Sequence, residues 1–171
     1  MQKSVTEIFI VQTSVSALSA LKAEFVNPFL GAGMEVMAQV LGEIKRGNPY
    51  LVRGSVKLKD FTVEFKVDGY IQGMFAYTMT REIALKIASG MIGMPVKEMD
   101  DLARSALSEL GNWVSGRAVS QFESPVNLSI PRILEGEVAV TSPQNMLLEV
   151  PVVSQYGNID MYLWLQENNR D

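Results

Sequence analysis

The sequence has 171 residues, of which 47% are hydrophobic, and a formal net charge of −4, so it is long enough for one domain with a sizeable core. The negative charge argues against a nucleic-acid partner, because phosphates select clustered Lys and Arg side chains. Cysteine and histidine are both absent, which excludes disulfides, thiol nucleophiles, zinc sites built on these residues and imidazole general bases.

Residues 1–23 have mixed patterning and are predicted to be an N-terminal extension, followed by a single domain over 24–171. The apolar run "IFIV" at 8–11 is far shorter than a membrane span. It is also too weak for the apolar part of a secretion signal that would be cleaved after "ALSA" at 17–20. We therefore expect a cytoplasmic protein with no membrane partner.

The first long helical run, "NPFLGAGMEVMAQVLG", occupies 27–42. Strands are predicted at 54–58, 61–67 and 70–79, and the Asp68-Gly69 turn favours a hairpin between the last two. A helix over 80–93 follows, with Thr80 as its N-cap. A second long helical run at 102–118 precedes strands at 136–140, 146–154 and 158–166. This order predicts an internal duplication of a helix followed by three strands, in an α+β domain whose helices pack on an antiparallel sheet.

The second long helix carries four residues at spacings of four, three and four, namely Ser105, Glu109, Asn112 and Gly116. This stripe lies roughly 160° from the apolar side of the helix, so it should face solvent. Without histidine or cysteine, any chemistry must use carboxylates, amides, hydroxyls or the groups of a partner. Glu109 and Asn112 lie close enough to engage one small target together, and Gly116 leaves room for another molecule to approach.

Polar residues on the outer side of an amphipathic helix are the ordinary case, so the spacing alone is weak support for a site. Asn and Gly are poor helix formers, however, and each costs roughly 0.5–1 kcal/mol against Ala, which favours a use for them. The first long helix repeats the spacing as Gly31, Glu35, Ala38 and Gly42 and lacks the amide. One site per chain is therefore predicted, on the second long helix.

The first long helix is apolar almost all round, because Leu30, Met34 and Leu41 stand beside its small residues. We expect this helix to be buried or to lie in an interface, since an exposed apolar patch is costly in water. A second copy of the chain or the N-terminal extension could cover the patch, and exposed sheet edges are an alternative interface. A homodimer is predicted.

The run "LARSALSELGNWVSGRA" closely resembles the signature of the CheC/CheX phosphatases of bacterial chemotaxis: a Ser or Asp, three residues, Glu, two residues, Asn. The runs "NPFLGAGMEVMAQVLG", "RGNPYL" and "GYIQGMFAYTMTREIALKIASGMIG" resemble the CheX branch, and the similarity covers roughly residues 24–166. CheC members carry two such motifs, whereas CheX members carry one and form homodimers. Ala38, where a first motif would have its Asn, is similar to the CheX pattern.

This resemblance implies a phosphatase that removes the aspartyl phosphate of a CheY-like response regulator. Asn112 would orient the attacking water through its carboxamide, and Glu109 would pair with the regulator's active-site lysine. Mg²⁺ is expected in the regulator, and no cofactor is expected on this chain. A neutral amide suits the reaction, because in-line attack on a phosphoryl group needs a positioned water more than a strong base.

Ser105 and Gly116 are expected to support the site or to bind the partner. No His or Lys stands at helical spacing to activate Ser105, so we expect it to cap locally or to hydrogen-bond Glu109 rather than to act as a nucleophile. The family signature continues to a proline a little over twenty residues beyond the Asn. Here Pro131 comes a few residues early, and its role is unassigned.

Two other functions stay open from the sequence. The chain could capture a phosphorylated receiver domain without hydrolysing it, or it could be a structural relative of the flagellar switch proteins. The presence of both Glu109 and Asn112 argues against the structural role.

Overall fold

The computed structural model describes residues 22–169, which form three helices and ten strands. The helices are α1 (Ala23–Leu41), α2 (Arg81–Ile92) and α3 (Asp101–Val119). The strands are β1 (Ile44–Arg46), β2 (Tyr50–Arg53), β3 (Val56–Lys57), β4 (Phe61–Gly69), β5 (Ile71–Met79), β6 (Val126–Leu128), β7 (Arg132–Glu135), β8 (Ala139–Val140), β9 (Met146–Ser154) and β10 (Gly157–Glu167). The proposed extension, 1–23, lies outside the described residues except for its last two, so that domain boundary stays a prediction.

Eight of the described strands form one antiparallel sheet in the order β1-β9-β10-β5-β4-β6, with β2 also on β9 and β7 also on β4. The hairpin of β4 and β5 comes from the first half of the chain, and the hairpin of β9 and β10 comes from the second. Each half also adds short edge strands to the hairpin of the other half. The predicted duplication is confirmed, and its two units interlock.

Each unit has five strands rather than the three that were predicted. The expected strands at 54–58 and 136–140 are reduced to the two-residue β3 and β8, which pair with each other in a separate small sheet. Strands β1, β2, β6 and β7 were missed because they have only three or four residues, too few to show an alternating pattern. Pairing with the long strands β9 and β4 forms them instead.

The main core lies between the helices and one face of the sheet. Phe29 of α1 has its ring centroid 5.5 Å from that of Phe75 in β5, and Phe65 of β4 stacks on Phe75 at 5.9 Å. Helix α1 approaches the sheet closely at Gly33, where a Cβ would lie only 2.8 Å from the Cε atom of Met161. Aromatic packing and a close helix approach together fix the helical layer on the sheet.

Helix α2 confirms the prediction over 80–93. The Thr80 side chain accepts a hydrogen bond from the Ile83 N–H at 3.4 Å, and Gly93 ends the helix in the left-handed conformation with φ of 81°. None of the helices within residues 22–169 is long and apolar enough to span a membrane.

Helix α1 buries most of its apolar residues within the chain itself. Leu30 is 4% exposed and Leu41 is 2% exposed, both within the main core, and Met34 is half-buried against the same core. The helix contacts α2 and α3 as well as the sheet, which accounts for its apolar character. Of the two predicted alternatives, burial or an interface, burial is therefore confirmed for Leu30 and Leu41. The homodimer stays a prediction.

Candidate functional site

Helix α3 carries the four predicted site residues, and local sequence signals define its ends. The Asp100 carboxylate accepts a hydrogen bond from the Ala103 N–H at 2.8 Å and caps the N terminus. Asp101 in the first turn and Arg117 in the last turn complement the helix dipole. The inner side is buried against the core, as predicted, through Ala103, Leu107, Leu110 and Val114.

The outer side of α3 exposes the predicted stripe of Ser105, Glu109, Asn112 and Gly116. Glu109 and Asn112 are brought together, because the Asn112 Nδ2 group donates a hydrogen bond to Glu109 Oε2 at 3.4 Å. Within residues 22–169 the hydrogen bonds to the Glu109 carboxylate come from Asn112 and Trp113, so the expected bond from Ser105 is not formed. The structure thus joins two of the four residues directly.

Trp113 belongs to this cluster and was not among the predicted site residues. Its indole Nε1 donates a hydrogen bond to Glu109 Oε1 at 2.9 Å, and the residue is 40% exposed. The sequence signal that could have identified Trp113 is its position four residues after Glu109, since residues four apart on a helix are surface neighbours. Each carboxylate oxygen of Glu109 therefore receives one hydrogen bond from a neutral donor.

The negative charge of Glu109 has no cation beside it within the described part of the chain. Arg104 on the same helix is paired with Glu135 of β7, and its hydrogen bond lowers the pKa of that carboxyl. Arg117 is paired with Glu35 of α1 at 3.1 Å. The nearby arginines are thus matched to other carboxylates, which leaves Glu109 available to a cation on a partner.

Pro131, which the sequence left unassigned, packs under α3 next to the site. A Cβ built on Gly111 would lie 2.9 Å from the Pro131 Cβ and 3.2 Å from the Phe65 Cζ, so the lack of a side chain at Gly111 allows this contact. On the outer side of the same helix, a Cβ at Gly116 would meet nothing within 4 Å. This open space agrees with the predicted gap at Gly116.

We predict that Gly111→Ala and Gly116→Ala change stability in opposite directions. Ala gains about 1 kcal/mol of helix propensity at either position. At Gly111 the new methyl group overpacks against Pro131 and Phe65, which costs about 1–3 kcal/mol and outweighs that gain. Urea unfolding of the two variants should show a lower free energy of unfolding for Gly111→Ala and a higher one for Gly116→Ala. A more stable Gly111→Ala would contradict the close packing of Pro131.

Comparisons with known sequences lead to one family. The family described as "Chemotaxis phosphatase CheX" matches residues 61–153, which is more than half of the chain. A protein of Thermotoga maritima named "CheY-P phosphatase CheX" is 30% identical over 149 residues, covering 84% of this chain and 96% of that protein. Both matches include the outer stripe of α3.

Solved structures share the fold. A chemotaxis protein CheX from Desulfovibrio desulfuricans superposes with a TM-score of 0.73 at 20% identity, covering 84% of this chain and 99% of that one. The chain that matches in a CheX-CheY-BeF3-Mg²⁺ complex from Borrelia burgdorferi gives a TM-score of 0.66 at 22% identity, covering 84% and 98%. At these identities the structures establish the fold, and the sequence matches establish the membership. The chain belongs to the CheX family of chemotaxis phosphatases.

Proposed function

We propose that this chain hydrolyses the aspartyl phosphate of a CheY-like response regulator. The observation that carries the proposal is the exposed pair of Glu109 and Asn112 at the middle of α3, whose carboxylate has no cationic partner within residues 22–169. Two comparisons support it. The Thermotoga maritima relative is named as a phosphatase of CheY-P, and the Borrelia burgdorferi relative was solved with CheY.

Asn112 would enter the regulator's active site and orient the attacking water. Its Nδ2 group already donates a hydrogen bond to Glu109, so its Oδ1 atom is the group that can accept a hydrogen bond from that water. Holding the water in line with the phosphorus atom supplies the positioning that phosphoryl transfer requires. The carboxamide performs this role without taking up a proton.

Glu109 would hold the regulator by pairing with the lysine of its active site. A carboxylate that is oriented by neutral donors keeps its full charge for this contact, and complementary charges fix the register of two partners. Within residues 22–169 no group of three or more His, Cys, Asp or Glu side chains could hold a metal. We propose that the Mg²⁺ belongs to the regulator.

Ser105 and Gly116 would form the two ends of the contact. Both are exposed and lie about one turn from the central pair. Because nothing surrounds Gly116 within 4 Å of a built Cβ, the regulator can approach the helix backbone there. Ser105 offers a hydroxyl to the partner at the other end.

The direct test is the loss of phosphate from a panel of phosphorylated receiver domains, each incubated with and without this protein. We expect one receiver domain, or a small subset, to lose its phosphate faster when the protein is present. Binding to a phosphorylated receiver without faster hydrolysis would support the alternative of a non-catalytic binding module. A panel that shows neither binding nor hydrolysis would rule out both functions.

We further propose that the protein is a cytoplasmic homodimer. With Leu30 and Leu41 buried in the chain's own core, the sheet edges formed by β1 and β2 or by β6 and β7 are the candidate interfaces. Ile130, between β6 and β7, is 85% exposed and favours the second edge.

Light scattering at micromolar concentration should return twice the chain mass of 18.9 kDa. We expect Ile130→Lys to shift this mass toward that of the monomer, because a charge at an apolar contact is costly to bury. A monomeric wild-type protein would contradict the dimer. A dimer that is unaffected by Ile130→Lys would move the interface to the edge formed by β1 and β2.

A further inference from the structure

Trp113 is an unusual residue for the outer side of a helix. It is 40% exposed, whereas the side of α3 that faces the core is filled by smaller aliphatic residues. Leaving part of a large aromatic ring in water is unfavourable. The specific contact that the side chain makes is the hydrogen bond from its Nε1 atom to Glu109 Oε1 at 2.9 Å.

Helix α1 offers an internal comparison. Its equivalent glutamate, Glu35, receives a hydrogen bond from the Arg117 guanidinium at 3.1 Å and is therefore part of an ion pair. Glu109 is instead held by Trp113 and Asn112, which are both neutral. A cationic partner within the chain orients a carboxylate and offsets its charge, whereas a neutral donor orients it and leaves the charge for another molecule.

We propose that Trp113 is a positioning residue that holds the Glu109 carboxylate in the conformation that engages the regulator. This inference rests on the proposed function. An exposed glutamate samples several rotamers, and a binding partner must select one of them. The Trp113 indole holds Glu109 Oε1, and the Asn112 carboxamide contacts Glu109 Oε2. Both donors lie in the helical turn that follows Glu109. The entropy cost of fixing the Glu109 rotamer is therefore incurred before the regulator binds.

Two substitutions separate the N–H group from the ring. Trp113→Phe keeps an aromatic ring and removes the donor, whereas Trp113→Gln keeps an N–H donor that reaches Glu109 at the same spacing and removes the ring. We expect Trp113→Phe to raise KM for the phosphorylated regulator by about twofold to tenfold and to leave kcat within about twofold. Trp113→Gln should restore KM to within about twofold of the wild-type value.

A double-mutant cycle tests whether Trp113 acts through Glu109. In a Glu109→Ala background, Trp113→Phe should cause no further rise in KM, because the group that it positions is gone. Additive effects in the cycle would overturn the inference. A normal KM in Trp113→Phe together with a raised KM in Trp113→Gln would also overturn it, since the ring itself would then contact the regulator. An equal rise in KM in both variants would overturn it as well.

A measurement on the free protein keeps this inference distinct from the proposed function. The indole Nε1–H signal of Trp113 in a nitrogen-proton NMR spectrum is identified by its absence in Trp113→Phe. It should shift in Glu109→Ala and stay in place in the matched control Glu35→Ala, where the equivalent glutamate of α1 is removed. An unchanged signal in Glu109→Ala would overturn the contact. Wild-type protein that hydrolyses no receiver phosphate would instead contradict the proposed function, even if the signal shifts as expected.

Discussion

Asn112→Ala should keep its fold and lose most of its phosphatase activity. The side chain is exposed and its hydrogen bond to Glu109 is long, at 3.4 Å, so it adds little to stability, and Ala is the better helix former. Its carboxamide would hold the attacking water, and misplacement of a reacting group costs about 100-fold in rate. Single-turnover dephosphorylation of the regulator should therefore slow by about 100-fold or more, with a melting temperature equal to or slightly above that of the wild-type protein.

Helix α1 provides the control for this variant. Gln39 is also an exposed carboxamide on the outer side of a long helix, so Gln39→Ala removes a comparable group that lies outside the proposed site. We expect its rate to equal that of the wild-type protein. A folded Asn112→Ala variant that dephosphorylates the regulator at the normal rate would show that the water is placed by another group.

Glu109→Ala should weaken binding of the phosphorylated regulator. Its carboxylate is the charged group at the centre of the proposed contact and has no ion-pair partner within the described residues. Removing one member of a charge pair at a partly buried contact costs about 2 kcal/mol, or roughly a 30-fold increase in Kd. Titration with a beryllofluoride-activated regulator would measure this change directly.

The control for the binding experiment is Glu35→Ala, which removes the same side chain from the equivalent position of α1. Because Glu35 is already paired with Arg117, we expect the affinity of this variant to equal that of the wild-type protein. The wild-type affinity should also fall with added salt, since exposed charge pairs are screened. Equal affinities of wild type and Glu109→Ala would make Glu109 an ordinary surface residue.

Patterns with a local physical cause were predictable from the sequence. Thr80 and Gly93 mark the ends of α2 through capping and the left-handed backbone conformation, and both are read correctly without a structure. The exposed stripe of α3 follows from helical periodicity and the apolar side opposite to it. The long strands β4, β5, β9 and β10 lie within a few residues of their predicted bounds.

Features that depend on contacts between distant parts of the chain were not predictable. The short edge strands exist because the other unit supplies their partners, and no periodicity within three residues reveals that. The apolar side chain of Leu30 is compatible both with burial in the chain's own core and with a place in an interface. Only the packing of α1 against α2 and α3 shows that it is buried. Pro131 gained a role only when the fold placed it against Gly111, which is twenty positions earlier in the sequence.

The exchange of edge strands makes the two repeats inseparable as folding units. Strand β2 of the first repeat completes the ladder of β9, and strand β7 of the second completes the ladder of β4. A fragment ending at Gly93 would leave β5 with a bare row of N–H and C=O groups along most of its length, because β10 pairs there from residue 71 to residue 78. Such pairings join residues far apart in the sequence, and the entropy cost of closing the chain between them slows folding. When the two repeats assemble together, their shared core supports both long helices. The outer surface of α3 then remains available for the proposed site.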